Sequence, residues 1–298
     1  MVTHLHGGAV PSVFDGNPDS WFTPGQAIIG PAFSTNTYVY PNAQDATTLW
    51  FHDHALGLTR INVYAGLAAF YLIRDDYDTG ITGTGLGLPA GRYEIELAFQ
   101  DRQFEANGQW FFPAGDSAGL NGTPPNPETH PFWIPEFFGD AIAVNGKAWP
   151  YLSVEPRRYR LRLLNACNAR FLELRLANAS SGKVGPLFWQ IGTDGGLLDR
   201  PVAIRDRGSQ GARGLLLAPA ERADIIVDFA AFRGTTLLLL NSATAPYPSG
   251  DAPDPQTNGQ IMQFRVDLPP QGADSSYDPK LPGANCAAGR ISPLRSSD

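Results

Sequence analysis

The chain has 298 residues with a formal net charge of −7. That length suggests about two domains, and the negative balance argues against a nucleic-acid or anionic-membrane partner. Hydrophobic residues make up 43% and charged residues only 17%, with 32 glycines and 26 prolines; this favours short strands and frequent turns over helices.

In chain order, residues 2–6 alternate apolar and polar and predict a short strand. Residues 1–6 carry neither a charged n-region nor an apolar core, so they are not expected to be a signal peptide. No apolar run approaches the ~20 residues of a membrane span. Residues 7–36 are loop-rich, with turn signals at Gly7-Gly8, Asp15-Gly16, Asn17-Pro18 and Pro24-Gly25. Strands are predicted over 35–40, 47–54 and 65–74, with a short helical turn inside 56–64. Residues 76–91, with alternating Thr and Gly, read as a linker. Beyond it, strands are predicted near 93–100, 106–112, 138–144, 147–154, 158–164, 171–176, 187–191, 215–217, 224–229, 237–240 and 261–266. Strands at this spacing imply a β-sandwich or barrel. Residues 268–298 read as an extended or disordered tail.

Four of the five histidines sit in two H-x-H pairs, His4/His6 and His52/His54. On a strand, residues i and i+2 share a face roughly 6.5–7 Å apart, so both imidazoles of a pair can reach one metal or two neighbouring metals. Imidazole is the commonest transition-metal ligand. Four histidines without an obvious Cys or carboxylate ligand suit copper better than a catalytic zinc, although spacing alone leaves zinc open. Asp15, shortly behind the first pair, is either a turn residue before Gly16 or a group that hydrogen-bonds a ligand or relays protons. His130 is expected at the surface. Cys167 and Cys286 have no motif around them and are expected to be a buried thiol and a loop thiol. Arg158, Arg160 and Arg162 share a strand face, expected to be solvated. Trp110, Trp133, Trp149 and Trp189 are expected to anchor core or loops.

His-Leu-His-Gly-Gly at 4–8, Asp-Gly-Asn-Pro-Asp-Ser-Trp-Phe at 15–22, Leu-Trp-Phe-His-Asp-His-Ala at 49–55 and Thr-Arg-Ile-Asn-Val-Tyr-Ala-Gly-Leu at 59–67 resemble the multicopper oxidases. The likeness is to the bacterial spore-coat laccase and bilirubin oxidase branch. It continues through 140–156, 159–165, Ile191-Gly-Thr-Asp-Gly-Gly, Leu217-Ala-Pro-Ala-Glu-Arg-Ala-Asp and 261–266. The resemblance implies an all-β fold of cupredoxin-like Greek-key sandwiches in series, the first incomplete and the third absent. The implied division is 1–75 as the C-terminal part of domain 1, 76–91 as linker, 92–267 as domain 2 and 268–298 as a tail. It also implies that His4 binds a type 2 copper, that His6, His52 and His54 bind the type 3 pair, and that Asp15 assists proton delivery.

The resembled family couples one-electron oxidation of phenols, pigments or metal ions to reduction of dioxygen to water, and its members are often extracellular, periplasmic or in the spore coat. No His-Cys-His and no third H-x-H occurs here, and neither cysteine has a histidine neighbour. The expectation is therefore half of the trinuclear ligands and no type 1 copper site, so that the chain alone is inactive. Alternatives are a non-catalytic copper-binding or structural β-sandwich, or a half-enzyme completed by a separate chain. A cupin-type metalloenzyme is disfavoured, because no Glu shortly follows either pair.

Overall fold

The computed structural model describes residues 1–112, 136–205 and 214–281. His130, Trp133 and Cys286 lie outside the described residues. In chain order the elements are β1 (Thr3–His6), β2 (Thr47–Asp53), α1 (Thr59–Tyr64), β3 (Ala68–Ile73), β4 (Glu94–Phe104), β5 (Trp110–Phe111), β6 (Ala141–Val144), β7 (Lys147–Ala148) and β8 (Tyr151–Ser153). There follow β9 (Arg158–Asn165), β10 (Leu172–Asn178), β11 (Phe188–Thr193), β12 (Gly196–Ile204), β13 (Leu215–Leu217), β14 (Arg222–Asp228), β15 (Thr236–Asn241) and β16 (Gln260–Arg265).

These strands form three sheets. The first has the order β1-β2-β3 and is wholly antiparallel. The second runs β13-β10-β15-β16-β8, and the third runs β12-β11-β14-β9-β4-β6-β7, with β5 paired to β4. The second and third pack face to face. Leu97, Phe99, Leu161, Leu163, Ile225 and Val227 point inward from one, and Leu172, Leu174, Leu237, Leu239, Ile261 and Phe264 from the other. Period-two alternation gives each strand its apolar inner row, as a sandwich requires.

The first sheet has two distinct faces. Leu5, Leu49 and Ile73 pack with Val10, Tyr40 and Tyr71 on one. On the other, Trp50 and Phe70 pack against Leu164, Ala166 and Ala220. The His-bearing sheet is thereby seated on the ends of β9 and β14.

Four expectations change. Residues 35–40 form no strand; Tyr40 packs against Tyr71 instead, with rings 6.0 Å apart. The stretch 147–154 is broken at Trp149, whose φ of 44° ends β7, so that β8 crosses to the second sheet and pairs in parallel with β16. β12, which pairs with β11 at the edge of the third sheet, was not predicted. Finally, Arg160 and Arg162 are not solvated; they are 1% and 0% exposed.

Those arginines lie in a buried ionic cluster. Arg160 makes a bidentate pair with Asp78, both bonds 2.7 Å, and also holds Asp224. Arg162 reaches Glu94 at 2.6 Å and Asp78 at 2.7 Å, and Arg74 holds Glu94 with two bonds of 2.9 Å. Three guanidinium groups thus meet three carboxylates, which is what makes the burial of so much charge tolerable. Asp78, Leu88 and Ala90, from the stretch read as linker, are themselves buried. From the stretch read as tail, Asp274 bonds the backbone N–H of Arg158, and the Arg158 guanidinium donates to Ser276. No helix among the described residues is long and apolar enough to cross a membrane.

Candidate metal centre

The β1–β2 register places His4 opposite His52, His6 opposite Trp50 and Thr3 opposite Asp53. His4, His6 and His52 therefore share one face, and His54 follows directly after the strand. Nitrogen donors of His4, His6 and His52 all lie within 4.8 Å of one another. The ring centroids of His4 and His52 are 5.3 Å apart, and those of His6 and His52 are 5.6 Å apart. His54 stands beside this group, its ring stacked on His4 at 4.7 Å and 26°.

Backbone carbonyls set the tautomers. A carbonyl can only accept, so the ring nitrogen facing it must carry the proton. The Nδ1–H of His4 donates to the Asp15 carbonyl at 2.6 Å. That of His52 donates to the Asp53 carbonyl at 2.8 Å, and that of His54 to the Gly16 carbonyl at 2.7 Å. Each of the three rings then carries its lone pair on Nε2, that of His52 facing His6. His6 differs, because its Nδ1 lies 3.4 Å from His52 Nε2.

The surroundings of His6 and His52 favour the neutral ring, the form that binds a metal. Burial, then the nearby charge of Arg222 and the other histidines, lowers the His6 pKa to about 4. Burial also lowers that of His52, opposed by its bond to the Asp53 carbonyl. A cluster of imidazoles with converging nitrogen atoms suits copper, and the residues present fit that metal.

Several neighbours that sequence patterns did not single out support the cluster. Trp50 is 3% exposed, with its ring 4.2 Å from that of His52. Its Nε1 is buried with no hydrogen-bond partner among the described residues. Asp53 points away from the cluster; its carboxylate accepts from the Val2 N–H at 2.8 Å and from Asn62 at 2.6 Å. It thereby fastens β1 and α1 to β2. Thr48 accepts twice from the sandwich, its Oγ1 from Arg162 at 2.5 Å and its carbonyl from Arg222 at 3.0 Å. The H-x-H spacing shows the candidate ligands but not these struts, whose hydrogen-bond partners lie 9 to 174 positions apart.

Asp15 sits against His4 on the side remote from the cluster. Its carboxylate is 3.3 Å from His4 Nδ1, and its side chain is half exposed. Cys167 is buried elsewhere, its sulfur accepting from the Asp101 N–H at 3.2 Å. Burial pushes that thiol well up, which leaves it inert. The Nε1 of Trp149 donates to the Thr257 carbonyl, anchoring a loop as expected.

No family model matches the chain. Comparison with individual proteins is informative. The chain is 45% identical over 272 residues to a laccase of Bacillus stratosphericus, covering 91% of this chain and 48% of the relative. It is 44% identical to a laccase of Bacillus subtilis, covering 94% and 49%. It is 43% identical to the rice multicopper oxidase LPR1 homolog 1, covering 93% and 43%. Among solved structures, a variant of the multicopper oxidase McoA from Aquifex aeolicus superposes with a TM-score of 0.67 at 30% identity, over 96% of this chain and 53% of that one. The chain spans about half the length of the relatives it matches. With such identity running through nearly all of its residues, and with a nearly all-β fold shared with these neighbours, the chain is similar to about half of a multicopper oxidase.

Proposed function

We propose that His4, His6, His52 and His54 are copper ligands, and that the chain contributes them to an oxidase that uses dioxygen and a reducing substrate. The observation that carries this reading is the convergence of three imidazoles whose nitrogen atoms lie within 4.8 Å on one sheet face, with His54 alongside. Bound copper would supply one-electron transfer, coupling oxidation of a phenolic, pigment or metal-ion substrate to four-electron reduction of dioxygen to water.

The chain's own residues bind and orient. His4, His52 and His54 present Nε2, because their Nδ1 protons are held by carbonyls. Trp50 excludes water from behind His52 and His6. Asp15 is in position to hold or pass a proton at His4 Nδ1, which supports reading it as a proton relay. In the same reading His4 serves a type 2 copper, and His6, His52 and His54 a type 3 pair. Residues 1–75 are the end of one cupredoxin-like domain, 76–91 a connector, 92–267 a second domain, and 268–298 a segment leading onward.

A second reading rests on the chain matching about half of its relatives' length. Here these ligands are completed by a separate chain carrying further histidines and a thiolate ligand, or they bind copper without turnover. One experiment serves both. Copper(II) is titrated into the 298-residue protein and into H6A and H52A, with oxidation of a laccase dye followed in parallel. The expected result is copper uptake by the wild type, weakened more than about tenfold in either variant. No steady dye oxidation and no thiolate–copper absorption are expected from this chain alone. Copper uptake unchanged in both variants would overturn the ligand assignment.

A further inference from the structure

Two of the four histidines, one from each H-x-H pair, are held by consecutive carbonyls of a single turn. His4 Nδ1–H donates to Asp15 O, and His54 Nδ1–H donates to Gly16 O. The same segment continues along β2's exit, where the Leu56 N–H donates to Pro18 O at 3.1 Å. The two rings held in this way are the stacked pair, 4.7 Å apart and 26° from parallel. The other two histidines take no bond from this turn.

The turn reaches them because of how closely it approaches β1. A single 3-10 turn, Ser12–Phe14, delivers Asp15 in a helical conformation, φ −79° and ψ −8°. Gly16 follows with φ +82°. A Cβ there would lie 2.4 Å from the Thr3 carbonyl oxygen and 3.0 Å from His4 Cα. Any side chain at 16 therefore pushes the turn off the strand that carries the first pair, besides opposing the positive φ.

Resting on the copper reading above, we propose that the Asp15–Gly16 backbone is the orienting clamp of the centre. Two peptide carbonyls fix the tautomer and the plane of His4 and His54 together. Gly16 is the positioning residue on which that geometry depends, and the Asp15 carboxylate is not needed for it. Because the Asp15 contribution to orientation is a main-chain carbonyl, an alanine there retains it. A proton-transfer role for the carboxylate is separable and would show only in turnover.

The test uses two readouts. Histidine-labelled 298-residue protein is examined by two-bond nitrogen–proton correlation, which reads the tautomer of each ring. His4 and His54 are expected as Nδ1–H tautomers in both wild type and D15A. Copper(II) is then titrated into wild type, D15A and G16A, with the electron paramagnetic resonance of the loaded protein recorded. D15A is expected to bind as wild type does, with the same hyperfine splitting. G16A is expected to bind about 10–100-fold more weakly, with altered splitting, the usual cost of losing a group that orients a ligand.

An Nε2–H tautomer at His4 or His54 overturns the clamp whatever the copper result, and needs no folded G16A. Loss of affinity in D15A equal to that in G16A also overturns it, by moving the effect to the carboxylate. Absence of copper uptake by the wild type overturns the metal assignment instead, while the tautomers still judge the clamp.

Discussion

At the scale of single residues, Asp78 shows how far a side chain's role can depart from its local sequence. It lies among Thr, Gly and Asp residues that read as a connector, yet it is 2% exposed and bonds both Arg160 and Arg162. Burial alone would raise its pKa, but the hydrogen bonds and charge of the two arginines hold it well below the usual carboxylate range. Glu94 behaves alike: burial pushes it up, and Arg74, Arg160 and Arg162 bring it down. A carboxyl whose folded pKa is depressed binds fewer protons folded than unfolded, so its stabilising effect is present above the unfolded value and disappears on acidification. Urea midpoints should therefore hold from neutral pH down to about 4.5, the unfolded value of Glu94, and fall progressively below that. D78N should be less stable at neutral pH and should lose less on acidification than wild type. A midpoint that falls equally in both proteins would remove Asp78 from the account.

At the scale of elements, β2 joins the two parts of the molecule. Its Leu49 face closes the core of the first sheet, and its Thr48–Trp50–His52 face meets the sandwich and carries one of the clustered histidines. Part of this was legible, since H-x-H spacing puts His4 and His6 on one face, and the β1–β2 register then brings His52 onto it opposite His4. The arginine row of β9 was legible only in part. Alternation shows that Arg158, Arg160 and Arg162 share a face, but not what covers that face, because the covering groups come from Thr48, Asp78 and Glu94. The Asp15–Gly16 contacts were legible only as a turn, since a main-chain acceptor leaves no mark in side-chain identity. Thr48 offers a test of the junction. T48V keeps the shape but leaves an Arg162 N–H without its neutral acceptor, which should cost about 1–3 kcal/mol in denaturant melts. T48S should recover most of that loss. Equal stability in T48V and wild type would show that the bond holds nothing in place.

At the scale of the whole molecule, two kinds of charge contact hold the parts together, and they differ in their access to water. The segment at 274–280 is docked by pairs at the surface: Arg158 with Asp274 and Asp278, whose side chains are 19% and 25% exposed, and Lys280 with Asp228. The junction between the first sheet and the sandwich is instead closed by Arg160, Arg162, Asp78, Glu94 and Asp224, each at most 5% exposed. Dissolved ions weaken attraction only where they can come between charges, and at molar salt their screening length is about 3 Å. Added sodium chloride should therefore loosen the 274–280 segment, seen as faster amide exchange and easier proteolysis there. The amides of β2 and β9 should keep their protection under the same conditions. The sheet that carries the histidines is in this sense insulated from the ionic strength of its surroundings, because the charges that seat it are paired with one another and buried away from the salt.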